Sequence, residues 1–171
     1  MIVALDRFGA FTGLNTARSS ATDVFPNTPT FSFHGASYQS DYLDFESVET
    51  QDSSGKPLET PTAAQNQIFQ QFNAPPYVPA SSQGAIPFID FGNKYLISGS
   101  SYSPDVLKGQ SWDAVATSLS NPNTDATKGI VGTANVMTAA ICSITNNQPA
   151  DVCGETAIAA LEAKLPHPAG S

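Results

Sequence analysis

Charge is scarce in this sequence, and positive charge most of all. Seven Lys and Arg stand against fifteen Asp and Glu in 171 residues, giving a formal net charge of −8, and only 13% of residues are charged. An average soluble protein carries roughly 25%. Arg7, Arg18, Lys56, Lys94, Lys108, Lys128 and Lys164 are scattered, so no basic stripe exists to neutralise phosphates or hold an anionic membrane surface. Nucleic acid is therefore not an expected partner. No apolar run reaches the roughly 18 residues of a membrane span. Asp6 and Arg7 interrupt the short apolar start, which does not read as a signal peptide.

Cysteine is nearly absent, with Cys142 and Cys153 alone. Together with the distant His34 and His167 they offer no zinc-ligand spacing, so neither a metal nor a cofactor is expected. Two readings of the pair stay open. One is a disulfide across a turn marked by Asn146, Asn147 and Pro149, joining the end of one helix to the start of the next and contributing about 3 kcal/mol. The other is two free, buried thiols. Catalytic signatures are also missing. Ser19 and Ser20 lie in no Gly-x-Ser-x-Gly elbow. Asp23, Asp41, Asp44 and Glu46 follow no calcium-loop spacing, and simple solvation accounts for them. No catalytic residue is assigned.

What is present is enough to build a core: 40% of residues are hydrophobic, and the length suits one domain, taken as 1–171. Ser, Thr, Asn, Gln and Pro supply the surface that charges usually supply, which suits an extracytoplasmic protein. Residues 1–9 read as the second half of a helix, with Ile2, Leu5 and Phe8 at helical spacing and Gly9 as the stop. Residues 12–27 are irregular, with room for one short strand. Residues 28–98 hold the sheet and a helix. Thr30–Phe33 and Tyr42–Glu49 alternate as half-buried strands and are expected to pair, Leu43 and Phe45 facing inward. Thr60 caps a helix with Pro61 at its first position, burying Ala64, Ile68, Phe69 and Phe72. A β-hairpin follows over 85–97, with Asp90 capping its turn. Residues 103–165 form a C-terminal helical region. Ser103 and Ser111 cap two short helices, the second carrying Trp112 as a core residue. A long helix opens at Thr124 or Asp125 with the stripe Ile130, Ala134, Met137, Ile141 and Ile144. A last amphipathic stretch spans Ala157–Leu165.

Helix, strand, helix, hairpin, helix, with Ile86-Pro87 opening the hairpin, is the order of a thioredoxin fold. The resemblance extends to Ile2–Leu5 with Arg7-Phe8-Gly9, Ser19–Thr30, Phe33-His34-Gly35-Ala36-Ser37-Tyr38, Ile86–Asp90, Ser101–Pro104 and Ala139–Cys142. These blocks together resemble the uncharacterised thioredoxin-like family known as domain of unknown function 929. The resemblance implies an α/β, thioredoxin-like fold lacking its first strand and the start of its first helix. It implies a cis-proline loop at Ile86 and Pro87 that binds an extended peptide or a protein thiol substrate through its backbone. His34 and Tyr38 are further cleft candidates, His34 standing equally as a structural histidine. Family members look like membrane-anchored, outward-facing proteins with a Cys-x-x-Cys ahead of the first helix. No residue here can take that role: a dithiol nucleophile needs a helix amino terminus, and Cys142 lies late in a long helix. Met1 is accordingly expected to be an internal methionine of a truncated chain. Two functions follow as expectations: a derivative of an extracytoplasmic thiol-disulfide oxidoreductase without its redox cysteines, or a non-catalytic peptide-binding or structural surface module.

Overall fold

The structure, a computed structural model, describes residues 1–166; His167 lies outside them. The chain divides into two compact units, one made of Met1–Thr60 with Tyr102–Thr133, the other of Pro61–Ser101 with Ala134 onward. Helices and strands are mixed, and in place of one sheet the strands form three separate two-stranded antiparallel ladders.

In the first unit, helix α1 (Ile2–Leu5) is a single turn. The expected stop at Gly9 is corrected: after a tight turn in which Phe8 N–H donates to the Leu5 carbonyl (2.9 Å), Gly9 opens strand β1 (Gly9–Thr12). Strand β1 runs so close to β4 (Ser37–Ser40) that a Cβ on Gly9 would meet Ser40 Cβ at 2.8 Å. Glycine is there for close approach, not as a helix terminator. Ala4, Leu5 and Phe8 are buried beneath this turn.

Strands β2 (Asn15–Arg18) and β3 (Pro29–Ser32) form a hairpin in register Asn15↔Ser32 to Arg18↔Pro29. The expected pairing of the 30–33 strand with 42–49 is thereby corrected. β3 takes its partner from the nearer β2 segment, and residues 42–49 belong to no strand. Trp112 braces the hairpin, its Nε1 donating to the Thr30 carbonyl (3.1 Å) and its ring lying 4.3 Å from the Arg18 guanidinium. Phe11, Phe33, Tyr38 and Phe45 pack ring on ring behind β1 and β4, Phe11–Tyr38 centroids 4.8 Å apart and Phe33–Phe45 5.3 Å. Ser103 caps a short 3₁₀ turn, and Ser111 caps α3 (Trp112–Ser118) through Ala114 N–H (3.1 Å), both as their residue types demand.

Helix α4 (Asp125–Ile144) has 20 residues. Thr124 Oγ1 accepts from Thr127 N–H (3.1 Å) at its start. Its stripe is as the periodicity requires: Ala134, Met137 and Ile141 are buried, Ile130 and Ile144 half-buried.

In the second unit, helix α2 (Ala63–Phe72) is capped by Thr62, not Thr60. Gln65 lies three residues after Thr62 and completes a reciprocal capping box, Thr62 N–H donating to Gln65 Oε1 (2.9 Å) and Gln65 N–H to Thr62 Oγ1 (3.2 Å). Pro61 therefore precedes the helix. Ala64 and Ile68 are exposed where burial was expected, because only Phe69 and Phe72 find aromatic partners, in Phe88 and Tyr77. Strands β5 (Phe88–Phe91) and β6 (Tyr95–Ser98) form the expected hairpin. Gly92 and Asn93 both adopt positive φ, and Asp90 Oδ1 accepts from Asn93 N–H (2.7 Å). Helices α5 (Ala150–Cys153) and α6 (Thr156–Glu162) end the described chain, with Ile158 buried.

Candidate functional site

The loop before β5 is held by a side chain that periodicity and motif reading both pass over. Asn73, at the carboxyl end of α2, is only 1% exposed. Its Nδ2 donates to the Ala85 carbonyl (2.8 Å), its Oδ1 accepts from Ser98 Oγ (2.7 Å), and its carbonyl accepts from Gly84 N–H (2.9 Å). One amide thus ties the end of α2 to the 82–85 loop and to β6. On the other side of the loop, Pro87 C=O accepts from Gly99 N–H (2.8 Å). Between these two anchors lie Ile86 and Pro87, joined by a cis peptide. Ile86 is 76% exposed, so the loop presents an isoleucine side chain to solvent on a fixed backbone. Asp90, two residues past Phe88, has its carboxyl pushed above the ordinary range by burial, against the opposing hydrogen bond from Asn93.

His34 and Tyr38 lie in the first unit, and each is already engaged. His34 Nδ1 is 2.7 Å from Glu59 Oε1. Glu59 Oε2 accepts from Glu49 N–H (2.9 Å), while the Glu49 carboxylate accepts from Ser32 Oγ (2.6 Å) and Phe33 N–H (2.7 Å). His34 therefore closes a carboxylate network that clasps the end of β3 to the 49–59 hairpin-like loop. The hydrogen bond from His34, then that from the Glu49 amide, holds the Glu59 carboxyl below its ordinary range. Tyr38 belongs to the aromatic cluster, and its hydroxyl donates to the Leu5 carbonyl (2.8 Å). Burial raises its pKa, as a phenol in that role requires.

Ser143, Lys94 and Tyr95 also converge, Lys94 Nζ lying 2.7 Å from Ser143 Oγ and Tyr95 OH 3.0 Å from it. The lysine additionally donates to the Ser143 carbonyl (3.3 Å). A lysine side chain donating to a hydroxyl and a carbonyl at the end of a helix is a C-terminal cap that complements the dipole of α4.

Cys142, near the end of α4, and Cys153, the last residue of α5, have their sulfurs within bonding distance and Cα atoms 5.6 Å apart. Cys153 thus closes a one-turn helix, where the sequence suggested the start of one. Asn146 and Asn147 adopt positive φ in the turn between, and Asn147 N–H donates to the Cys142 carbonyl (2.8 Å). Both cysteines are buried, at 0% and 3% exposure. Among the described residues no group of three or more His, Cys, Asp or Glu could hold a metal ion, and no helix is long and apolar enough to cross a membrane.

These elements define a mixed α/β chain whose two cysteines are buried with their sulfurs within bonding distance. Residues 1–143 match the family model described as Domain of unknown function (DUF929), and the chain belongs to that family. The match includes Cys142 but ends before Cys153. No curated protein and no solved structure matches the chain.

Proposed function

We propose that this chain is a thioredoxin-like, redox-silent module of an extracytoplasmic protein, which binds an extended peptide at the Ile86-Pro87 loop. The observation that carries the reading is the state of the cysteines. The sequence has two, and both are buried, within bonding distance, and remote from any helix amino terminus of useful length. They staple α4 to α5 and offer no thiolate for exchange. A closed pair of this kind belongs to an oxidising compartment, and the weakly charged, hydroxyl-rich surface agrees with it. The exposure of Ile86 between the Asn73–Ala85 and Gly99–Pro87 anchors supports the choice of loop, since a fixed backbone lowers the entropy lost on docking.

The test combines an insulin-reduction assay with an array of extended peptides, run on the native chain and on Ile86→Asp. The reading expects no insulin reduction, together with peptide binding that Ile86→Asp removes. Turnover of insulin, or binding indifferent to Ile86→Asp, would reject it. A second reading, a structural surface module, draws on the first unit, where Val24 is 85% exposed at the β2–β3 hairpin tip and Phe31 42%. Peptide binding that maps to Val24 in place of Ile86 would favour that alternative.

A further inference from the structure

No Asp, Glu, Lys, Arg or His stands between Glu59 and Asp90, although the chain as a whole is acid-rich. This uncharged stretch supplies α2 and the loops that lead to β5, within the second unit. Large apolar side chains nevertheless reach its surface: Ile68 is 37% exposed, Tyr77 52% and Ile86 76%. Asn73 ties their segments together. Its carbonyl and its side chain hold Gly84 and Ala85 just before Ile86, and the adjoining Ala74 carbonyl accepts from Tyr77 N–H (3.0 Å). The Tyr77 ring lies against Phe72 (centroids 4.9 Å), and Ile68 precedes Phe72 by one turn of α2. Gln71, Pro75, Pro76, Ser81 and Gln83 are the exposed residues among them, all neutral. Past the loop, the first charges are Asp90 and Lys94, at the closed end of the β5–β6 hairpin. Asp90 accepts from Asn93 N–H there (2.7 Å), and Lys94 Nζ reaches Ser143 Oγ (2.7 Å). Ile86 instead precedes the open end, where Phe88 pairs with Ser98.

We infer that the occupant of the Ile86-Pro87 loop is an uncharged segment of another protein, bearing apolar side chains that lie against Ile86 and Tyr77. This rests on the reading of the loop as a peptide site and adds the chemistry of the peptide. A Lys or Glu side chain docked on this surface would give up water and meet no counter-charge, and an unpaired charge is the costliest group to bury. Selection therefore works by exclusion. Depletion of charge with an exposed tyrosine is also the composition of an interface centre. The net charge of −8 opposes a second copy of the chain as the occupant.

The experiment uses the full chain and three labelled peptides about eight residues long. One is built of Val, Leu, Ser and Gln, and the others carry two Lys or two Glu in place of two Gln. Binding is read by fluorescence anisotropy at about 0.05 M and about 0.5 M salt, the higher value screening general attraction to an acidic protein. At the higher salt the neutral peptide should bind at least about tenfold more tightly than either charged one. Its Kd should change less than about twofold between the two salts, and Ile86→Asp should remove its binding. Gln83→Glu, an exposed change three positions before Ile86, should raise affinity for the Lys peptide by roughly three- to tenfold at low salt. A charged peptide bound as tightly as the neutral one at high salt, and lost in Ile86→Asp, would overturn the inference and leave the loop a peptide site. No response to Gln83→Glu would likewise overturn it, because charge at this surface would then not be read. Absence of binding, or binding indifferent to Ile86→Asp, would reject the peptide site and the inference together. Self-association abolished by Ile86→Asp would make a second copy the occupant and overturn the inference as well.

Discussion

Asn73 donates to the carbonyl of Ala85 at 2.8 Å from a position that is 99% enclosed, and the same amide accepts from Ser98 at 2.7 Å. A buried amide with both ends satisfied fixes the geometry around it, whereas losing it strands its partners. Asn73→Ala should therefore lower the unfolding free energy by about 2–4 kcal/mol in urea titration. It should also raise hydrogen exchange at the Gly84 amide, which now donates to the Asn73 carbonyl. A cost below about 0.5 kcal/mol would mean that the 82–85 loop is held by something other than Asn73.

Gly9 is a second position where one heavy atom decides stability. An added Cβ would strike Ser40 Cβ at 2.8 Å, Tyr38 Cζ at 2.8 Å and the Gln39 carbonyl. Two of those neighbours are locked, Tyr38 by the aromatic cluster and Gln39 as backbone in β4. Gly9→Ala should cost about 2 kcal/mol and loosen the β1–β4 pairing. The check is a thermal melt accompanied by hydrogen exchange across residues 9–12. Wild-type stability would show that the two strands can separate without penalty.

The disulfide reading predicts a loss confined to the unfolded-state term. Closing an eleven-residue separation restricts the denatured chain, so reduction, or the double change Cys142→Ala and Cys153→Ala, should remove about 3 kcal/mol. Denaturant titration with and without reductant measures it. Thiol titration of the unfolded, unreduced protein should find no free cysteine. Two titratable thiols would return the alternative of free, buried cysteines.

Some of this architecture is legible in the residues because the determinants are local. Ser103 and Ser111 act on amides two or three positions away, Gly92-Asn93 turns its own hairpin, and α4 carries its buried stripe within one continuous repeat. The Thr60 cap was displaced to Thr62 by an equally local signal, the Gln65 side chain, which a Thr-Pro pair overshadowed. What could not be read was pairing. Residues 42–49 announce a strand but not its partner, and β3 went to β2 instead. The hubs of the candidate sites are hidden for the same reason. Asn73 meets residues 85 and 98, and His34 meets Glu59 twenty-five positions on, separations at which spacing carries no signal. Only its place directly after the aromatic Phe72 at a helix end marks Asn73, and that is a weak signal.

The Glu59 clasp gives stability a dependence on acidity whose sign is fixed. Its carboxyl is held below the ordinary value of 4.5, first by the His34 hydrogen bond and then by the Glu49 amide. A carboxyl with a folded pKa below its unfolded one favours folding while it is ionised. That contribution is fully present above about pH 4.5, and it disappears as the pH falls through the depressed folded value. Glu59→Gln removes the charge at every pH. The variant should thus be less stable than the wild type at pH 7, and the difference should shrink as the pH falls through the depressed folded value, where the wild type protonates too. Urea titrations across this range measure the convergence, and a carboxyl-detected NMR titration locates the group responsible. A gap between variant and wild type that stays constant throughout the acid titration would assign the loss to shape and hydrogen bonding alone, and would remove the charge from the account of how β3 is clasped.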